Sequence, residues 1–148
     1  NAFYNCDADG MEGWVQDRSA LPVDMGTPRM GDFAFEDISA VGTRWCAAWV
    51  AGLPEEPVGR LTFRRVDVAF AEDPDPGVPA MAGGVGPVAR GGFVVSGVRD
   101  LVLEDVALSG VEGVPLTVDG EPRPVPPAPV PLSAPLSASL SASAPFGT

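Results

Sequence analysis

The sequence predicts an all-β chain folded as a stack of coils, a parallel β-helix. Three observations carry the expectation. An eight-residue pattern, apolar, any, apolar, polar, polar, Ile/Val, any, apolar, occurs at Phe33–Ala40, at Leu61–Val68 and at Leu101–Leu108. A strand pattern that returns along a chain is the mark of stacked supersecondary units. A second apolar run follows each copy. Glycine and proline, 18 and 17 of the 148 residues, leave no apolar stripe at helical spacing that persists beyond about ten residues.

Taken in order, Phe33, Phe35 and Ile38 alternate inward in the first copy, and the polar pair Glu36-Asp37 makes a corner. The run from Trp45 to Leu53 supplies the second strand of that coil. Leu61, Phe63 and Val66 stack on the first set, and Leu101, Leu103 and Val106 stack on those. The steps between copies, 28 and 40 residues, suit coils of about twenty to thirty residues once an insertion is allowed for. That insertion, Ala71 to Arg90, is rich in Gly and Pro and is expected as a surface loop. Gly92 to Val95 and Pro115 to Val118 are the second strands of the later coils. The body is assigned to residues 1–122. In residues 123–148, seven Pro, five Ser and five Ala fill 17 of 26 positions, so this tail is expected to be disordered.

Composition removes several function classes. The net charge of −11 argues against nucleic acid and anionic membranes as partners. The nine basic residues are all Arg, which reflects either compositional bias or carboxylate binding. Histidine is absent, so Ser-His-Asp and Cys-His catalysis and the usual zinc sets are excluded. Cys6 and Cys46 are expected as buried free thiols, with a mutual bridge as the alternative. No ligand set for a metal and no cofactor motif is found. The acidic clusters Asp7, Asp9, Glu12 and Glu72-Asp73-Pro74-Asp75 lack the spacing of a calcium loop and are expected as solvated turns. Glu55-Glu56 is expected as an exposed turn. Glu36-Asp37 and Glu104-Asp105 sit at equivalent positions; strand alternation sends such neighbours to opposite faces, which prevents them from acting on one bond. The first residues carry neither an initiator Met nor the basic and apolar regions of a signal peptide, so the chain is expected to be a fragment and its compartment is undetermined.

Several stretches in order resemble the C-terminal coils of family 28 glycoside hydrolases, the polygalacturonase-like pectinases, and most of all their bacterial branch. They are Asn1-Ala2-Phe3-Tyr4-Asn5-Cys6-Asp7, LPVDMGTP at 21–28, FAFEDISA at 33–40, AAWVAGLPEEPVGRLTFRRV at 47–66, GVPAM at 77–81 and GGFVVSGVRDLVLEDVALSGVEG at 91–113. The resemblance implies a right-handed parallel β-helix and inverting hydrolysis of α-linked galacturonides in pectin. Inversion needs one carboxylic acid for the leaving oxygen and one carboxylate to activate water on the opposite face. The family's Asn-Thr-Asp, Asp-Asp, Gly-His-Gly and Arg-Ile-Lys motifs do not occur in this sequence. The chain therefore resembles the part after the catalytic coils, and no catalytic residue is assigned in it.

Three residues are candidates for contact with a pectic poly- or oligogalacturonide. Tyr4 matches by order the tyrosine of the family's sugar subsite; its other reading is a strand-edge Tyr packed on the first coil. Arg90 follows the insertion and is placed to meet a uronate carboxylate, or else to pair with a nearby acid. Trp14, among polar residues, is a candidate sugar platform, whereas Trp45 and Trp49 lie in an apolar run and are expected in core or coil-stacking roles. The alternative function is a non-catalytic carbohydrate-binding or structural module. A coil stack that begins mid-fold leaves apolar side chains and backbone groups open at its first coil, so self-association through that end is expected.

Overall fold

The structure, a computed structural model, describes residues 18–79 and 85–127. Those residues form seven strands and no helix: β1 (Phe33–Thr43), β2 (Cys46–Ala51), β3 (Val58–Phe70), β4 (Gly91–Ser96), β5 (Val98–Ser109), β6 (Leu116–Val118) and β7 (Glu121–Pro122). The described residues are all-β, and β1 to β6 alternate between two sheets. One sheet has the order β1-β3-β5, and the other has the order β2-β4-β6-β7. Every pairing is parallel except the short β6–β7 turn.

The register follows the sequence repeat. Phe33 pairs with Leu61 and Leu61 with Leu101; Phe35, Phe63 and Leu103 align in the same way, as do Ile38, Val66 and Val106. The second apolar runs become β2, β4 and β6, with Ala48 beside Phe93 and Phe93 beside Leu116. The Ala71–Arg90 segment carries no strand among its described residues and closes on itself through the Gly77–Val88 bridge. Trp45 lies against this loop, its indole so close that a side chain on Gly77 would overlap it.

A bend interrupts each long strand at one repeat position. Asp37, Arg65 and Asp105 all take left-handed backbone angles, with φ of 55°, 52° and 53°. Aspartate tolerates this region better than most residues. The expected corner is therefore present, and its turning residue is the second of the polar pair. The bend also corrects the alternation argument. Glu36 and Asp37 are both exposed on the outside and both reach Arg65, Asp37 at 2.5 Å and Glu36 at 3.7 Å.

The core lies between the sheets. Leu61, Phe63, Val66 and Val68 of β3 meet Phe93 and Val95 of β4, with Val106 and Leu116 from β5 and β6. Phe63 packs edge-on against Phe93 at 4.9 Å and stacks on Phe35 at 5.2 Å. Burial is uneven along the stack. The β3 and β4 side chains are enclosed, but Phe33, Phe35 and Ile38 on the outer strand β1 remain 44%, 42% and 37% exposed. Trp45, expected in a core or coil-stacking role, is 40% exposed. It precedes β2, which lies at the outer edge of the second sheet, and its indole rests against Gly77 of the insertion loop.

This gradient predicts unequal costs for truncation. Phe93→Ala should lower unfolding free energy by about 3–5 kcal/mol, the range for an enclosed Phe, whereas Phe33→Ala should cost less than about 1 kcal/mol. Urea denaturation of both variants, at unchanged slope, measures the difference.

Candidate functional site

The charged surface is built by the strand register. Arg64 of β3 lies between Glu36 of β1 and Glu104 of β5, with contacts of 2.7 Å and 2.6 Å. Arg65 donates through Nε and a terminal nitrogen to both oxygens of Asp37. Arg60 pairs with Asp100 at 2.6 Å, and its backbone N–H donates to Asp32 at 2.7 Å. The middle strand thus carries the cations and the outer strands carry the anions. These pairs are exposed, and each contributes little by itself; their common effect is a modest preference for this register, in which each of these cations stands beside an acid of a neighbouring strand. The hydrogen bonds from Arg65 hold the Asp37 carboxyl below the usual carboxylate range. Arginine here serves carboxylates of its own chain: Arg44, Arg60, Arg64, Arg65, Arg90 and Arg99 are each paired with an Asp or Glu.

Arg90 is the most enclosed of these cations. It precedes β4 with a left-handed backbone, φ 50°, and its N–H donates to the Arg44 carbonyl. Its carbonyl accepts the Glu112 N–H. One terminal nitrogen of the guanidinium donates to the Glu72 carbonyl at 2.5 Å and the other to the Glu112 carboxylate, while Nε is shielded from solvent without a partner. The residue therefore ties the insertion to the turn after β5. A uronate carboxylate at this position would have to displace Glu112. Tyr4 and Trp14, the other two sugar-contact candidates, lie outside the described residues, as does Cys6.

A groove of about 550 Å3 runs along the ends of β2, β4 and β6. Its floor is the close approach of Gly52 to Gly97. A Cβ on Gly52 would stand 2.0 Å from the Gly97 carbonyl oxygen, and one on Gly97, whose φ is +62°, would stand 2.5 Å from that of Gly52. Trp49, Arg18 and Asp119 line the walls. Asp119, itself left-handed at φ 48°, accepts the Gly97 N–H at 3.0 Å. Partial burial lowers the affinity of the Arg18 guanidinium for its proton. Sequence reading did not single out Arg18 or Asp119, and it gave Trp49 a core or coil-stacking role.

Two further expectations change in the structure. Glu55-Glu56 is not a fully exposed turn. The Glu56 side chain is only 18% exposed and bonds Arg99 at 2.7 Å, and one Glu55 carboxylate oxygen is covered without a partner. Cys46 is a free thiol, half-buried rather than buried, and burial pushes its pKa up, away from nucleophilic reactivity. Among the described residues no group of His, Cys, Asp and Glu is arranged to hold a metal ion.

With this geometry in hand, comparison with known proteins found no matching family model, no matching curated protein and no matching solved structure.

Two outcomes test this account of the surface. Arg90→Ala should lower stability by about 1.5–3 kcal/mol, since it removes charge-assisted bonds from an enclosed group; thermal or urea unfolding measures it, with Arg29→Ala near zero as the control. The second concerns pH. Asp37 has a depressed pKa in the folded chain, so its contribution is complete above the unfolded value of about 3.9 and is lost as pH falls through the folded value. Stability measured from about pH 5 down to about pH 2, across carboxylate titration, should fall less steeply for Asp37→Asn than for the parent chain.

Proposed function

We propose that this chain is the closing part of a pectin-degrading glycoside hydrolase built on a right-handed parallel β-helix. The reading rests above all on one observation: stretches that resemble the polygalacturonase-like family occupy the positions where stacking is most demanding. Gly52, within the AAWVAGLPEE stretch, and Gly97, within GGFVVSGVRD, meet at a backbone contact that no side chain can enter. FAFEDISA, LTFRRVDV and LVLEDVAL supply three in-register parallel strands with the same left-handed corner. Alternation of the chain between two sheets, with a short second strand after each long one, supports the helical course.

In this reading the reaction is inverting hydrolysis of α-linked galacturonides. It requires a general acid and a general base across the glycosidic bond, and the motifs that supply them in the family do not occur in these 148 residues. The part played by this chain is to terminate the stack and to border the substrate groove. Tyr4 and Trp14 are the proposed sugar contacts, stacking on a ring face while a hydroxyl or indole N–H hydrogen-bonds. Arg90 is a weaker candidate, because its guanidinium is already engaged by Glu112 and Glu72.

A second reading, a non-catalytic carbohydrate-binding or structural module, is favoured by that same engagement of Arg90 and by the pairing of the surface arginines within the chain. Two assays separate the readings. Reducing-sugar release from polygalacturonate by this chain alone should stay at background, and robust turnover would contradict the placement of catalysis elsewhere. Calorimetry with galacturonide oligomers should show saturable binding that Tyr4→Phe or Trp14→Ala weakens by about fivefold or more, the loss of one hydrogen bond or stacking contact. A chain that folds yet binds no oligomer would favour the structural module.

A further inference from the structure

The outer edge of β1 has no partner among the described strands, and its apolar side chains stand open. β1 is terminal in the order β1-β3-β5. Phe33, Phe35 and Ile38 are each more than a third exposed, and an apolar hollow of about 280 Å3 beside them is lined by Phe35, Ile38, Ala48, Trp49, Phe63 and Phe93. The other end of the same column differs. Val106 of β5, the counterpart of Ile38, is buried, and Leu101 and Leu103 are partly covered. A strand added at an exposed sheet edge gains affinity from backbone hydrogen bonds and specificity from the side chains it meets. At β1 those side chains are apolar residues and acids.

The register sets the charge at that edge. Asp32, Arg60 and Asp100 stand side by side across the sheet, as do Glu36, Arg64 and Glu104, and Asp37, Arg65 and Asp105. In each column the middle strand supplies the cation and both outer strands supply an acid, so each keeps one acid in excess. β1 itself carries Glu36 and Asp37 and no basic residue. A second copy of the chain is therefore a poor occupant. Docked edge to edge on β1, it brings only those acids. Stacked head to tail in the repeat register, it sets Glu104 beside Glu36 and Asp105 beside Asp37. Like charges directly opposite one another disfavour a pairing. The occupant that fits continues the alternation, with cations where β3 has them. Arg65 shows that a basic residue can hold the corner, at φ 52° beside the 55° of Asp37.

We propose that the β1 edge is a docking site for an extended polypeptide segment with a basic corner, of the pattern apolar, any, apolar, basic, basic, apolar. The segment pairs parallel to β1. Its apolar residues meet Phe33, Phe35 and Ile38 over the hollow, and its basic pair meets Glu36 and Asp37. β3 already makes this match on the other side of β1: Leu61, Phe63 and Val66 lie beside those three residues, Arg64 reaches Glu36 at 2.7 Å, and Arg65 reaches Asp37 at 2.8 Å. The Glu36 and Asp37 side chains remain 39% and 68% exposed, and a carboxylate oxygen accepts more than one hydrogen bond, so a second cation has access. Exposed pairs are individually weak. Apolar contact and backbone pairing supply the affinity, and the charges choose the partner. No sugar contact enters, and the partner does not depend on the pectinase reading.

Synthetic peptides test this against the unaltered chain. The first is the β3 segment itself, GRLTFRRVDVA, residues 59–69. The second carries Arg64→Glu and Arg65→Glu. The third carries Leu61→Ser, Phe63→Ser and Val66→Ser. Chemical shifts and amide exchange of the isotope-labelled chain read affinity and site. At low ionic strength the first peptide should bind saturably and slow exchange at least about tenfold at the β1 amides that do not bond β3. The second should bind at least about fivefold more weakly, and the third should not bind. Salt at about 1 M should narrow the gap between the first two. No binding of the first peptide, equal binding of the first two at low salt, or protection confined to β5 would overturn the proposal. So would β1 amides already protected in the chain alone. Protection independent of chain concentration would mean that another segment of the same chain covers the edge, and protection that grows with concentration would mean a second copy.

Discussion

From Leu61 to Ala69 the backbone of β3 has a parallel partner strand on each side, and the remainder of the structure is arranged around that double pairing. No other long strand among the described residues is paired on both edges in this way. Because each stacked strand completes its hydrogen bonds only on its neighbours, β3 determines where β1 and β5 lie. Its inward residues, Leu61, Phe63, Val66 and Val68, form one half of the core, and Phe93 and Val95 form most of the other half. The outward residues of the same strand, Arg60, Arg64 and Arg65, bind acids on both flanks. Hydrophobic burial supplies the stabilisation and the main constraint on register, because a slip of one residue turns the apolar set away from the core; the charge ladder adds a smaller preference. The division follows from magnitudes: enclosed aromatic and aliphatic side chains each contribute about 1.5–3 kcal/mol, and exposed ion pairs contribute well under 1 kcal/mol each.

Much of this was legible in the sequence, for a definite reason. Alternation and repetition are local properties, so the three copies, their second strands and the intervening loop could be read without knowing where anything lay in space. The pairing of Phe35, Phe63 and Leu103 reproduces the alignment of the copies residue for residue. The corner was also foreseen, but not its mechanism: a single left-handed residue bends the strand, and although Asp takes that conformation more readily than Glu, the Arg64-Arg65 pair carries no such signal. The ion pairs were missed because their partners are 28 or 40 residues apart. Once the register was known they followed directly, since acidic, basic and acidic pairs occupy the same repeat position in consecutive strands.

The candidate site was less legible. Arg90 drew notice as a cation after a loop, and only the fold shows that Glu72 and Glu112 converge on it from two other segments. The groove bordered by Arg18, Trp49 and Asp119 is assembled from the ends of strands in successive layers, so no contiguous motif marks it. Trp45 and Trp49 share one apolar run, yet one is half exposed at a sheet edge and the other borders the groove. A run of apolar letters reports that a strand is present and does not report how far that strand lies from the end of a stack.

The central claim is that β1, β3 and β5 are parallel and aligned on the repeat. Cross-strand nuclear Overhauser effects in a uniformly labelled sample test it most directly. The account predicts amide-to-Hα contacts of a parallel ladder linking Phe63 to the neighbourhood of Phe35 on one side and of Leu103 on the other, with aromatic contacts between Phe35 and Phe63. Strong Hα–Hα contacts of an antiparallel pair, or a ladder displaced by even one residue from the repeat, would contradict it.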